Sequence, residues 1–212
     1  APPANTAAVR VDKKPGASWR YSGGGYTVMQ LAMTEVAGKD FVTLTDELAL
    51  KPMGMARSTY LNPVPAANLA NAATAHTREG VAVPGHSHTY PEMAAASLWS
   101  TPSDLARMGL AVVDAARGTS GAILGPDMTK QMLTKQMGTY GLGFSLAEPG
   151  DGQVFSHSGV DEGFEAAFFT YTDGHGGAAI MTNAQGGSAL AREIMASLSA
   201  TYGWKFGAVV AR

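Results

Sequence analysis

Apolar residues fall at helical spacing along the first two thirds of the chain and at alternating or clustered positions after Gly138. Val28, Leu31, Ala32 and Val36 keep one helical face around the polar intruder Glu35, which predicts a helix after Gly25 that Gly38 stops. Asp40 is placed to cap a second helix with Phe41, Leu44 and Leu48 on one side, and Pro52 forbids its continuation. From Gly54 to about Ser97 no period is sustained, and Pro63, Pro65, Pro84 and Pro91 punctuate the stretch. A loop of that length in a small domain points to a segment that lines a site or carries small elements of its own.

Thr101-Pro102-Ser103-Asp104 is a strong helix start: Thr at the N-cap, Pro at the first helical position, and an acid three residues after the cap. Leu105, Met108, Val112 and Ala116 then share a face up to Gly118, and Gly125-Pro126 opens a shorter helix through Met128 and Met132. Beyond Gly138, Tyr140, Leu142, Phe144 and Leu146 alternate with small residues, as in a half-buried strand. Apolar runs at Gln153 to Phe155, Phe164 to Tyr171 and Ala178 to Thr182 follow, separated by glycine-rich spacers with hairpin chemistry. A last helix carries Leu190, Ile194 and Leu198 and closes near Tyr202. Helices, then an antiparallel meander, then one helix read as α+β, with residues 1–138 mostly helix and loop and residues 139–212 holding the strands.

Composition narrows the chemistry. The 212 residues contain no Cys, which removes disulfides, thiolate zinc sites and a cysteine nucleophile together. A formal net charge of -2, with only 15 Lys and Arg, argues against a nucleic-acid partner. No run approaches the roughly 18 apolar residues of a membrane span. The opening Ala-Pro-Pro-Ala-Asn lacks the charged and apolar regions of an intact signal peptide.

Three constellations could carry chemistry. Tyr21-Ser22-Gly23-Gly24-Gly25-Tyr26 sets hydroxyls on a glycine-rich turn before a helix. It suits a tight turn as well as a pair of hydroxyls aimed into a cleft, and it lacks the Lys-Ser or Lys-Thr of a phosphate loop. Phe155-Ser156-His157-Ser158-Gly159 ends a short strand, where His157 is either a hydrogen-bonded terminus or a functional group. His86-Ser87-His88, with His76 and Glu92, offers metal-ligand types without the helical HExxH pattern.

The first two constellations, read together, resemble the serine β-lactamase and penicillin-binding-protein superfamily. The likeness is to its class C branch, which also holds D-alanyl-D-alanine carboxypeptidases, D-aminopeptidases and esterases. Tyr21-Ser22-Gly23 is similar to that family's Tyr-Ser-Asn element, and His157-Ser158-Gly159 to its Lys-Thr-Gly element in a His-x-Gly form. Lys51-Pro52-Met53-Gly54-Met55 resembles the Pro-Leu-Gly-Met turn. The segment from Pro91 through Ser100-Thr101-Pro102-Ser103-Asp104-Leu105-Ala106 resembles the Pro-Glu-x-Ala-Ala-Gly-Leu-x-Ser-Thr-x-x-Asp-Leu-Ala block. Tyr140-Gly141-Leu142-Gly143-Phe144 and Met181-Thr182-Asn183 fit in the same order.

The resemblance implies a β-lactamase/transpeptidase-like fold and acyl transfer through a serine ester, with no cofactor and no metal. In that chemistry a Ser of a Ser-x-x-Lys helix attacks a carbonyl, Lys and a Tyr share the proton work, and backbone amides hold the oxyanion. By resemblance, Tyr21 is the proton shuttle; a free phenol titrates near 10 and needs a nearby cation to serve. His157 stands where the family has Lys, placed to hydrogen-bond Tyr21 and orient the substrate, and the Val160 amide is half of the oxyanion hole. Ser22, Gly23, Ser158 and Gly159 are the expected substrate-binding positions.

Two departures bear on function. Gly23 replaces the family's Asn, which removes an amide that would bind substrate and favours esterase or peptidase-like activity over β-lactam hydrolysis. No serine in the chain has Lys three positions on, and there is no Gly-x-Ser-x-Gly elbow. In the family the nucleophile helix precedes the Tyr-Ser-Asn element, so the chain reads as the C-terminal portion of such a domain. Its expected partners are then a small-molecule or peptide substrate, a segment or chain carrying Ser-x-x-Lys, and a second copy through the incomplete sheet edge. The resemblance places it in the periplasm or outside the cell. The alternatives are a non-catalytic binding or interaction module of the same fold, and a metal-dependent hydrolase built on His76, His86, His88 and Glu92.

Overall fold

Four strands pair in chain order as one antiparallel sheet: β1 (Ser145–Ala147), β2 (Val154–Asp161), β3 (Phe164–Tyr171) and β4 (Gly177–Thr182). The computed structural model describes residues 8–119 and 123–206, so the first seven residues of the polar lead-in lie outside the described residues. The meander predicted from the spacers is the observed topology. The alternating run from Tyr140 to Leu146, however, yields only a short strand at its end. Its first half turns back instead: the Gly141 N–H donates to the Phe144 carbonyl at 2.9 Å, and Gly143 takes the left-handed φ of 88°. In contrast, β2 is longer than its apolar run, because β3 offers partners as far as Asp161↔Phe164. His157 therefore sits inside a strand rather than at its end.

The helices are α1 (Gly23–Ala37), α2 (Phe41–Thr45, continued by a π-helical turn over Asp46–Leu50), α3 (Ala66–Leu69), α4 (Met93–Ala96), α5 (Pro102–Arg117), α6 (Pro126–Met132) and α7 (Gly187–Tyr202). The residues that open them act as the sequence predicts for α2 and α5: Asp40 accepts the Thr43 N–H and Thr101 accepts the Asp104 N–H. Helix α1 starts before the expected Gly25 because Ser22 Oγ accepts the Gly25 N–H at 3.0 Å and draws the glycines into the first turn. The excursion from Gly54 to Ser97 is irregular apart from α3 and α4.

The sheet is covered on both faces. On one, Val112 and Val113 of α5 meet Leu133, Leu146, Phe155 and Phe168; on the other, Met195 of α7 meets Val154, Phe169, Tyr171 and Phe206. This is the α+β architecture expected. In α5 the expected Leu105, Met108 and Val112 pack on the core, whereas α7 is rotated by one residue from the face that periodicity selected. Ala116 and Leu190 are exposed, and the buried stripes are Val112, Val113 and Ala115 in α5 and Ala191, Met195 and Ser199 in α7. Both helices approach the sheet closely. A Cβ on Gly109 would come within 3.0 Å of the Phe168 ring, and Gly187 lies directly against the Thr182 side chain.

Helix α1 is the larger surprise: none of its residues is buried, and Val28, Leu31 and Val36 are 54%, 61% and 90% exposed. Among the described residues, it packs mainly on α4, where Gln30 Oε1 accepts the Ala94 N–H at 2.9 Å. Leu48, expected on the inner face of the second helix, is also exposed.

Asp104 ties the irregular excursion to α5. Its fully buried carboxylate accepts the Arg57 N–H and the Ser58 hydroxyl, each at 2.8 Å, and pairs with Arg107 at 2.6 Å. Burial opposes ionisation, but the Ser58, Arg57 and Arg107 contacts prevail and hold its pKa below the ordinary carboxylate range. A carboxylate depressed in this way stabilises the fold above its unfolded-state pKa, and the contribution disappears as pH falls through the folded value. Asp104→Ala is expected to cost about 3 kcal/mol by stranding buried donors. Urea titrations should show this loss at pH 7 and a shallower loss of stability on acidification than in the parent protein.

Candidate active site

The strand register brings the two sequence elements together. Tyr21 precedes the Ser22 cap of α1, while His157 projects from the middle of β2. Their rings lie 6.1 Å apart, centre to centre, at 37°. Tyr140, on the turn before β1, stacks on Trp19 at 4.6 Å and approaches Tyr21 edge-on at 6.4 Å. These contacts hold the chain entering α1 over the sheet. Burial, reinforced by Tyr21 and then Tyr140, raises the pKa of the nearby Tyr26 phenol.

A cleft of about 930 Å³ opens beside this pair. Tyr21, Gly23, His157, Ser158, Gly159 and Val160 all border it; Ser22 does not, since its hydroxyl serves as the helix cap. Among the described residues, no hydrogen bond joins the Tyr21 hydroxyl to the His157 imidazole, contrary to the expected direct bond, because the rings stand side by side. Gly23 touches α4: a Cβ there would meet Ala95 Cβ at 3.6 Å, an ordinary contact. The glycine is therefore not required for space, and a larger residue at this position would border the cleft.

Tyr90 builds the facing wall. Its hydroxyl accepts the Glu162 N–H at 2.9 Å at the tip of the β2–β3 hairpin, and its carbonyl accepts from the Ser97 hydroxyl at 2.6 Å. Gly163 follows in the same turn with φ 75°, and a Cβ there would fall 2.6 Å from Ala75 Cβ. The excursion thus docks on the hairpin at two points. Trp99 packs edge-on against Phe164 at 5.6 Å, and Leu105 and Met108 of α5 add apolar lining. β1 pairs with β2 only from Val154 to Ser156, so His157 to Asp161 present an open edge among the described residues. Backbone amides on such an edge are free to bind an anionic oxygen.

Periodicity over the excursion gave no indication of Tyr90, and neither Trp99 nor Asp161 was singled out in the sequence, although all three border the cleft. Asp161 carried a usable signal, since alternation along β2 sets it on the face of His157 and Gly159. The alternative metal grouping is not assembled: among the described residues, no cluster of three or more His, Asp or Glu could hold an ion. His76 Nδ1 sits 3.0 Å from the Asn183 carbonyl, and His86 Nδ1 lies 2.8 Å from the Thr74 hydroxyl.

An α+β scaffold with Tyr-Ser-Gly and His-Ser-Gly elements facing one cleft is the framework of the serine β-lactamase and penicillin-binding-protein superfamily. Residues 3–201 match the Beta-lactamase family, and the chain belongs to it. Similar solved structures include a penicillin-binding protein from Bacillus halodurans, at 19% identity and TM-score 0.72, covering 88% of this chain and 57% of that one. An octameric penicillin-binding protein homologue from Pyrococcus abyssi matches at 20% identity and TM-score 0.69, over 90% of this chain and 44% of that one. The D-amino acid amidase of Ochrobactrum anthropi SV3, complexed with D-phenylalanine, matches at 18% identity and TM-score 0.63, over 81% and 53%. The chain therefore spans about half the length of the structures that it resembles. No curated protein matches it. Among the described residues, no helix is long and apolar enough to cross a membrane.

Gly159 offers a direct test of the cleft. A Cβ there meets nothing within 4 Å, and its φ is not left-handed, so Gly159→Val costs little stability and projects two methyl groups over the face shared with His157. Thermal unfolding is expected to move by less than about 3 °C. Ligand-induced shifts of the His157 imidazole NMR signals should vanish in the variant.

Proposed function

We propose that this chain forms one wall of a serine hydrolase active site that proceeds through an acyl-enzyme, and that the nucleophile and its Lys reside on a Ser-x-x-Lys segment outside these 212 residues. One observation carries the reading: Tyr21 and His157, far apart in sequence, meet 6.1 Å apart at the rim of one large cleft. In the proposed reaction the serine Oγ forms a bond to the substrate carbonyl carbon and gives up its proton to the Lys–Tyr21 pair. The bond to the leaving group then breaks, and Tyr21 returns that proton to the departing nitrogen or oxygen. His157 orients the substrate, and the Val160 amide on the open edge of β2 stabilises the oxyanion. Water reverses the sequence to release the acid.

Membership of the Beta-lactamase family supports hydrolytic acyl transfer, and the amidase complexed with D-phenylalanine favours D-amino-acid derivatives among the substrates. β-Lactams and short esters share the same carbonyl chemistry. The companion segment has two places to dock: the exposed apolar residues of α1 and the outer edge of β4, which has no neighbour among the described residues. Without the companion, a second copy of the chain is the expected occupant of that edge.

Labelling with a fluorescent penicillin or a fluorophosphonate tests the proposal. The purified chain alone should stay unlabelled. Adding a companion segment that carries Ser-x-x-Lys should produce labelling at that segment's serine, slowed by about 10²- to 10⁴-fold in Tyr21→Phe. Labelling of the lone chain at one of its own serines would refute the assignment. Ligand binding that never progresses to labelling, even with the companion present, would identify a binding module instead.

A further inference from the structure

Charge around the cleft is one-sided. Asp161, Glu162 and Glu165 border it, whereas no Lys or Arg does among the described residues. Two of the three acids are already engaged. Glu165 accepts the Gly186 and Ser188 N–H groups at 2.6 and 2.7 Å at the start of α7, and Glu162 accepts from the Gln185 amide at 3.3 Å. Asp161 is different: it is half-buried, and among the described residues its carboxylate has neither a hydrogen bond nor an ion pair. Burial alone pushes its pKa above the ordinary carboxylate range, so nothing nearby compensates the charge.

Asp161 shares a face of β2 with His157, four residues along, which separates their Cα atoms by roughly 13 Å at strand spacing. Building on the acyl-transfer reading, we propose that the cleft selects substrates carrying a protonated amine, which Asp161 binds about that distance from the group that His157 orients. An ammonium about four residues from the group at His157 spans this gap at roughly 3.5 Å per residue. It would also supply the charge partner that Asp161 lacks. A substrate with a carboxylate at that end would meet three acids and no Lys or Arg among the described residues. The specificity is thus for an amino-bearing peptide or amide rather than an anionic one.

Three probes separate the possibilities: Gly-Gly-Gly-Phe amide with a free amino terminus, its N-acetyl counterpart, and N-acetyl-Gly-Gly-Gly-Phe with a free carboxylate. Titration calorimetry of the 212-residue chain measures affinity, and the His157 imidazole NMR signals report occupation of the cleft. The free amine is expected to bind about tenfold more tightly than the acetylated amide, with the carboxylate weakest. Asp161→Asn should bring amine and acetylated amide within about twofold without lowering thermal stability, since Asp161 has no partner to lose. Equal affinities with His157 perturbed would overturn the amine preference and leave the cleft assignment standing. A preference that survives Asp161→Asn, or tightest binding of the carboxylate, would overturn the role of Asp161. No binding by any probe, with His157 unperturbed, would overturn both the preference and the cleft assignment.

Discussion

Pairing of β2 with β3 across eight residues positions almost everything else in the molecule. Because strand side chains alternate, the register that buries Phe155 beside Phe168 also turns His157, Gly159 and Asp161 to the same side. Val154 and Phe169 go to the opposite side and meet α7. A slip of one residue would exchange the two faces. It would send His157 toward α7 and Phe155 away from α5, so core and cleft are specified by a single constraint.

The second requirement is that irregular chain be held firmly enough to form a wall. The segment from Gly54 to Ser97 has little regular structure, yet it is fastened at both ends of its span. Asp104 gathers the Arg57 amide and Ser58 hydroxyl at the start of α5, and Tyr90 bonds the backbone of the β2–β3 turn. Gly163 makes the second attachment possible, because any side chain there would overlap Ala75. Hydrogen bonds from buried or half-buried polar groups thus take the place of helix and sheet in this part of the fold.

Helix α1 divides its functions between its two ends. Its N-terminal turn, capped by Ser22, presents Tyr21 to the cleft. Its remaining length exposes Val28, Leu31 and Val36, an unusual state for an apolar helix, while the chain spans about half of the structures that share its fold. In the proposed function, these exposed residues are one of the two places where the companion segment docks. Asp161, at the far end of β2, borders the same cleft and has no side-chain partner among the described residues.

Much of this was written in the sequence. Asp40 and Thr101 announced their helices through side-chain capping, glycine-rich spacers announced the meander, and motif order identified the family, because each of these signals is local or strictly ordered along the chain. The core face of α5 was legible in Leu105, Met108 and Val112, but that of α7 is offset by one residue from Leu190, Ile194 and Leu198. Periodicity measures where apolar side chains lie, whereas the face that α7 presents goes with the close approach of Gly187 to Thr182 on the sheet. Nor could the sequence join Tyr21 to His157, curl Tyr140 to Phe144 into a turn, or leave Asp161 without a partner among the described residues. Each depends on contacts between residues distant along the chain, which only the tertiary structure fixes.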